Sequence, residues 1–275
     1  MYLWRKHVTK DWLGERSDAL IARLGIAIAI IEQPGKTRTL VQVSCGRRSE
    51  AKQLQREFGG RIEKLRTDWL QQFARKSRTK PLRIGSRLIV SRGTESKLKG
   101  ARTIVIPAEA AFGTGEHATT AMCLRMLERT TRPLDDWTML DAGTGSGILA
   151  IAGSCFGAKR IVAIDNDPIA SSTAQRNART NRARNIEFQT GDVLKQKLAG
   201  KFDIITANLF SEILIAALPI WSRRLARDGH LILSGVLRSQ EPALLAALRR
   251  NGFRADEIRR RGKWIALLAS RAPGK

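Results

Sequence analysis

The segment TMLDAGTGSGILAIAGSCFGAK, Thr138 to Lys159, is the feature that most limits the fold of this chain. It places an apolar run, an acid at Asp141, glycines at alternate positions Gly143, Gly145 and Gly147, and then a stretch whose Ile148, Ile151, Ala152 and Cys155 share one helical face. Strand, glycine turn and helix together open a βαβ unit, and glycines there let backbone approach a ligand where a Cβ would collide. The chain beyond repeats the alternation: RIVAID, a helix, IEFQT, a loop, FDIITAN, a helix, HLILSG, a helix, FRADEI and KWIALLAS. This alternation predicts an α/β fold with a mostly parallel, doubly wound sheet. Its last two strands are joined through Arg261-Gly262, too short a link for a crossover, so one of them runs antiparallel.

The front of the chain reads differently. YLWRKHVT, KDWLGERSDALIARL, GIAIAIIEQ, TRTLVQVSC, SEAKQLQREF and RIEKL alternate as β-α-β-β-α-β, a small ferredoxin-like α+β domain over residues 1–66. In its first helix Trp12, Leu20, Ile21 and Leu24 share one face. Residues 67–80, opening with Asp68, Trp69, Leu70 and Phe73 and running into ARKSRTK, form a helical, basic connector. Residues 81–275 form the larger domain, which opens with short strands in LRIGSRLIV and RTIVI. A chain of 275 residues is long enough for both cores.

The glycine stretch also bears on the ligand. A dinucleotide site has the spacing G-x-G-x-x-G, whereas here it is D-x-G-x-G-x-G, and the acid before the first glycine sits badly beside a pyrophosphate, which argues against an NAD enzyme. An acid suits an ammonium group, and the first amides of the helix, with Ser146 placed to cap it, suit a carboxylate. S-adenosyl-L-methionine carries both. Asp165, at the tip of the second strand, can accept both ribose hydroxyls of a nucleoside. Asp192, after the third strand, can accept from an adenine amino group, or can simply close the loop after Gly191. Asn208 is the first polar residue after the apolar run of the fourth strand, at the carboxyl edge where such sheets bind ligands. Its carboxamide oxygen can accept from an incoming amine, the alternative being an asparagine that closes a turn.

Composition adds constraints. Cys45, Cys123 and Cys155 are far apart without a CxxC pair, which reads as reduced thiols in a cytoplasmic protein. With only His7, His117 and His230 and no Cys or His cluster, no metal site is expected. No apolar run approaches about twenty residues, so no membrane-spanning helix is expected, and MYLWRKHVTK lacks the apolar core of a signal peptide. The formal net charge of +24 attracts polyanions, and contact with RNA is one reading of it; a solvated basic surface is the other.

Taken together, AFGTGEHATT, LDAGTGSGILAIA, AIDNDP, ITANL and LILSGVL resemble the PrmA family, S-adenosylmethionine-dependent methyltransferases that modify a ribosomal large-subunit protein at amino groups. The resemblance runs from Trp69 to Arg271, and the segment before the first helix of the large domain is its most specific part. It implies that the loop from Phe112 to Thr120 covers the cofactor and that Thr120, Gly143, Asp165 and Asn208 contact it; Gly145 and Asp192 join this cofactor site on the glycine-turn and strand-end readings above. It further implies a place near the methyl-transfer site for His117, which with the amine-accepting Asn208 makes up the catalytic positions, a lysine or other amino acceptor on a ribosomal protein, and a front domain that recruits the substrate. Glu116 and Ala118 stand where the family often has threonine and proline, and IPAEAAF where it usually has LDPGLAF. These departures lie at the substrate entrance. Two rival functions keep the same fold: an RNA methyltransferase, and a non-catalytic RNA-binding or ribosome-assembly factor.

Overall fold

The computed structural model describes residues 2–9, 11–12, 28–31, 38–45, 47–64, 81–92, 100–107, 117–196 and 198–273. The chain folds as two compact units, residues 1–77 and 78–275, a division that falls inside the 67–80 segment.

In the first unit four strands, β1 (Tyr2–Val8), β2 (Ile28–Ile31), β3 (Thr39–Cys45) and β4 (Arg61–Lys64), form an antiparallel sheet in the order β2-β3-β1-β4. This is the strand order of the ferredoxin-like pattern read from the sequence. Alternation along β1 and β3 sends Trp4, Val8, Val41, Val43 and Cys45 into a small core. Helix α1 (Arg48–Phe58) adds Ala51 and Leu54, and Trp4 Nε1 donates to Gly59 O at 2.7 Å. Leu20, Ile21, Leu24 and the 67–80 connector lie outside the described residues.

The second unit is built on a seven-stranded sheet in the order β10-β9-β8-β11-β12-β14-β13. Its strands are β8 (Thr138–Ala142), β9 (Arg160–Asp165), β10 (Ile186–Thr190), β11 (Phe202–Asn208), β12 (Leu225–Leu237), β13 (Phe253–Arg261) and β14 (Trp264–Arg271). All pairings are parallel except those of β14, which runs antiparallel to both β12 and β13. The central strands are apolar on both faces, as a covered parallel sheet requires. Met139, Ile161, Ala163, Ile204 and Ile232 face one apolar layer; Leu140, Val162, Ile164, Ile205 and Leu233 face the other.

Helices α2 (Ala118–Thr130) and α3 (Ile148–Cys155) supply the first layer, and α5 (Ser211–Arg224) and α6 (Glu241–Arg250) the second. Helix α4 (Pro168–Thr180) begins where Asp167 Oδ1 accepts from Ile169 N at 2.8 Å with Pro168 in the first turn, where a missing N–H costs nothing. LRIGSRLIV divides into two strands, β5 (Leu82–Ile84) and β6 (Leu88–Ser91), hinged at Gly85, and β6 pairs in parallel with β7 (Arg102–Val105). Glu128 of α2, almost fully buried, holds that hinge: Arg87 and Arg132 both pair with its carboxylate.

No helix among the described residues is long and apolar enough to cross a membrane. The three cysteines are free thiols; burial pushes that of Cys123 up to about 12.

Candidate active site

β8 occupies the middle of the large sheet, with β9 on one side and β11 on the other. The chain runs outward from β8 through β9 to β10 and then returns to β11, so the strand order reverses between β8 and β11. Ligands bind at the carboxyl ends of strands at such a reversal. Ala142 and Ala207 are the last paired residues there, and the next ones are Gly143 and Asn208.

The loop after β8 is fixed by its own backbone. Gly143 N and Thr144 N both donate to Ile164 O, at 2.8 and 2.9 Å, and Gly147 N donates to Thr144 O at 2.8 Å. Gly143, Gly145 and Gly147 all have positive φ, at 74°, 55° and 81°. Packing alone already calls for two of these glycines. A Cβ on Gly143 would fall 2.3 Å from Leu209 Cδ2, and one on Gly147 would fall 3.0 Å from Ala174 Cβ. Helix α3 starts at Ile148 with Gly147 at its N-cap, so Ser146 does not cap it; the Ser146 carbonyl accepts instead from Asn177 Nδ2 at 2.8 Å.

Asp141 also differs from expectation. Its carboxylate is buried, with Oδ1 accepting from Thr206 Oγ1 at 2.6 Å and Oδ2 from Thr144 Oγ1 at 2.7 Å. Thr206 is the residue directly opposite it on β11. Burial pushes the Asp141 carboxyl up to about 6, against the pull of those two hydroxyls. Asp141 therefore braces the loop from beneath, tied on both oxygens to threonine hydroxyls.

Asp165 stands at the tip of β9, half-buried. Oδ2 accepts from Gly145 N at 2.8 Å and Oδ1 from Asp167 N at 3.0 Å. An ionised carboxylate has about four acceptor positions. Each oxygen therefore keeps capacity for one hydroxyl of a ribose.

The start of α2 supplies the opposite wall. His117 is its N-cap residue, and His117 Nδ1 lies 2.6 Å from Thr119 Oγ1. The His117 ring meets Trp264 edge-on, with centroids 5.1 Å apart. Burial, and then the charge of Lys263, lower the His117 pKa below its ordinary value. Thr120 is fully buried, and its Oγ1 accepts from Asn208 Nδ2 at 3.3 Å. The other carboxamide atom, Asn208 Oδ1, is buried and finds no hydrogen-bond partner among the described residues.

A cavity of about 380 Å³ joins these groups, lined by His117, Thr119, Gly143, Gly145, Asp165 and Asn208, and closed by Leu209, Phe210, Gly235 and Trp264. That volume falls in the range of about 300–1,000 Å³ common to small-molecule sites. Among the residues expected from the sequence, Asn208, His117, Gly143, Gly145 and Asp165 meet here, and Thr120 is bonded to one of them. Asp192 does not line the cavity: its Oδ1 accepts from Leu194 N at 2.9 Å and its Oδ2 lies 3.8 Å from Lys195 Nζ, an arrangement that closes the loop after β10. Phe112 lies outside the described residues. Trp264 and Gly235 were not singled out by the sequence. Only Gly235 carried a signal, as an isolated glycine in a strand pattern, and the register of β12 on β14 indeed shifts between Ser234 and Val236.

An amino acid joined to adenosine fits what is present. Asp165 has acceptor capacity for the ribose, and the walls beside it are mostly apolar. Among the described residues no cluster of three or more His, Cys, Asp or Glu is placed to hold a metal ion.

Comparison with known proteins agrees with this geometry. The chain is 37% identical over 208 residues to a ribosomal protein L11 methyltransferase of Heliobacterium modesticaldum, covering 74% of this chain and 64% of that protein. It is 38% identical over 205 residues to one of Pelotomaculum thermopropionicum, covering 74% and 65%. The chain thus spans just under two thirds of the length of these relatives. The crystal structure of a ribosomal protein L11 methylase from Lactobacillus delbrueckii subsp. bulgaricus superposes with a TM-score of 0.64 at 32% identity, over 70% of this chain and 99% of that one. A family model described as ribosomal protein L11 methyltransferase (PrmA) matches residues 29–272, a span that begins within the small sheet and runs through the whole cavity. By that match the chain belongs to the PrmA family.

Proposed function

We propose that this protein transfers a methyl group from S-adenosyl-L-methionine to an amino group of a ribosomal large-subunit protein, with lysine as the acceptor type. The observation that carries the reading is the buried, unpartnered Asn208 Oδ1 at the reversal of strand order. A buried polar atom left unpaired costs about 1–3 kcal/mol, a cost removed when an amine N–H arrives to donate to it.

When bound, the cofactor supplies an electrophilic sulfonium methyl. Asp165 holds the ribose end, and the Gly143–Gly145 turn forms the floor beside it. Asn208 Oδ1 accepts from the acceptor amine and so aims its lone pair, while Thr120 fixes the carboxamide from behind. Phe210, 71% exposed, and Trp264 are apolar walls suited to a lysine's methylene stem.

Magnitudes decide which effect matters. Charge is dispersed but not created in this displacement, so alignment is the main contributor, worth up to about 7–11 kcal/mol. A lysine with its reference pKa of about 10.4 must also lose a proton, at a cost of about 4–5 kcal/mol near pH 7. Positive charge at the rim, from Lys263 among others, lowers that cost by disfavouring the ammonium form. No dedicated base is required. The small N-terminal unit is, in this reading, the part that recruits the substrate.

Asn208→Ala tests the assignment. It lowers single-turnover methyl transfer by about 10- to 100-fold, the worth of one to two hydrogen bonds, while calorimetry shows S-adenosylhomocysteine binding changed only a few-fold. Equal losses in both would make Asn208 a cofactor ligand and remove it from acceptor alignment.

A further inference from the structure

An ion pair between Arg129 Nη2 on α2 and Glu257 Oε2 on β13 fixes where these two elements meet. From that point they run side by side. One helical turn back from Arg129 is Arg125, and three turns back is His117. Along β13, Arg259 and Arg261 follow Glu257 at alternate positions and so share its face. The chain then turns through Gly262 and Lys263 into Trp264, whose ring meets His117. With Arg129–Glu257 at one end and His117–Trp264 at the other, Arg125 is left facing Arg259 and Arg261. Burial and the charges of Arg261 and Arg259 accordingly hold the Arg125 guanidinium below its ordinary pKa.

The result is a cationic strip about 18 Å long, the rise of twelve helical residues, and it ends at the cavity rim. Its cations are Arg125, Arg129, Arg259, Arg261 and Lys263. Its carboxylate is Glu257, whose Oε1 accepts from Arg259 Nε at 2.6 Å while Oε2 serves Arg129. Among the described residues no carboxylate pairs with Arg125, Arg261 or Lys263.

We propose that this strip of α2 and β13 docks the phosphate backbone of RNA, holding an RNA-bound acceptor against the mouth of the methyl-transfer cavity. Like charges held together without anions destabilise one another, and a polyanion relieves that repulsion. A basic acceptor protein is repelled by the strip, and by a chain of net charge +24, so what lies on it carries negative charge. Guanidinium groups suit phosphates, which they contact in a planar, bidentate way. The strip offers no aromatic pocket until Trp264 at its end, so it lacks the buried anchors that hold a peptide. Phosphate contacts of this kind position a nucleic acid without reading its sequence. The part of the argument that invokes a basic acceptor rests on the proposed function; the strip itself does not.

The test is fluorescence anisotropy of the full chain with a labelled single-stranded RNA of mixed sequence, titrated at several salt concentrations. In R125Q/R259Q/R261Q the slope of log affinity against log salt becomes shallower by about 2, at about 0.7 per lost contact. R179Q/R182Q/R184Q, which removes the same charge from the exposed end of α4, leaves the slope as in wild type. Thermal melting shows whether each variant is folded. If loss of Arg125 lowers the melting temperature, R261E, at an exposed position, takes the place of the triple variant and weakens RNA binding alone. Three results overturn the proposal: unchanged binding in the strip variants, equal losses in the α4 control, or polyglutamate binding the strip as tightly as RNA, which would make the partner an acidic protein. Thermal shift with S-adenosylhomocysteine, run in parallel, separates the two readings. RNA binding without a shift leaves the strip and removes the methyltransferase assignment; a shift without RNA binding does the reverse.

Discussion

Thr120 holds the Asn208 carboxamide by one hydrogen bond, from Nδ2 to Oγ1 at 3.3 Å, between residues 88 apart in the chain. In this orientation the amide nitrogen faces the start of α2. With Nδ2 anchored to the start of α2, Oδ1 is the atom left for a ligand. Thr120→Val keeps the shape and removes the acceptor, so the carboxamide loses its fixed orientation. Single-turnover methyl transfer is expected to fall about tenfold, the equivalent of about 1.4 kcal/mol and of one neutral hydrogen bond. Affinity for S-adenosylhomocysteine stays close to wild type, and Thr120→Ser restores the rate.

Gly143 is held at φ 74° with Leu209 packed where a Cβ would lie, 2.3 Å from Cδ2. Gly143→Ala therefore meets two penalties, backbone strain and overlap. Together they cost about 1–3 kcal/mol or more, read as a lower melting temperature. Adding Leu209→Ala removes the overlap but not the strain. The double variant is expected to recover part of the loss, and full recovery would show that φ at this position carries no cost.

Asp141 gives a pH signature. Burial pushes its folded carboxyl up to about 6, against the ordinary 3.8 of an exposed aspartate. Between those values the folded state binds the proton that the unfolded chain releases, so this group destabilises the fold at neutral pH and the penalty fades as pH falls through 6 toward 4. Asp141→Asn carries no such dependence. Denaturant unfolding at pH 7.5 and pH 5 is expected to show the stability of wild type relative to Asp141→Asn rising at the lower pH. A fall would mean that the hydroxyls of Thr206 and Thr144 outweigh burial.

His117 responds to Lys263. Burial and the Lys263 cation keep the imidazole below its ordinary pKa, hence neutral at pH 7. Because the folded pKa is depressed, whatever stability the neutral ring contributes is lost as pH falls below the unfolded value of about 6.5. Lys263→Gln removes one of the two causes. An NMR titration of His117 in that variant is expected to move to higher pH than in wild type, with the acid limb of any His117-dependent rate following it.

The fold was legible where local pattern decides structure. Strands β9 and β11 are apolar runs closed by a polar residue at the carboxyl end, Asp165 and Asn208, and the antiparallel final strand followed from the length of the turn at Arg261-Gly262. The same logic located Gly143, Gly145, Asp165 and Asn208, because strand ends and glycine turns mark the edge where ligands bind. What stayed hidden depends on neighbours distant in sequence. Asp141 looked available to an ammonium group because nothing near it shows Thr206, which faces it across β11. Gly143 looked like a cradle because its real neighbour, Leu209, follows a different strand. Trp264 reaches the cavity only because β14 folds back antiparallel on β12, where Leu237 pairs with Trp264. Asp192 was chosen from its strand-end position alone, and its side chain turned out to serve its own loop.

The central claim is that the cavity between Gly143, Asp165 and Asn208 delivers a methyl group to a protein amine. Mass spectrometry of large-subunit ribosomal components after incubation with this protein and deuteriomethyl S-adenosylmethionine tests it most directly. Label is expected on amino groups of one ribosomal protein, retained after nuclease treatment and greatly reduced with Asn208→Ala. Label released by nuclease, or label undiminished in that variant, would contradict it.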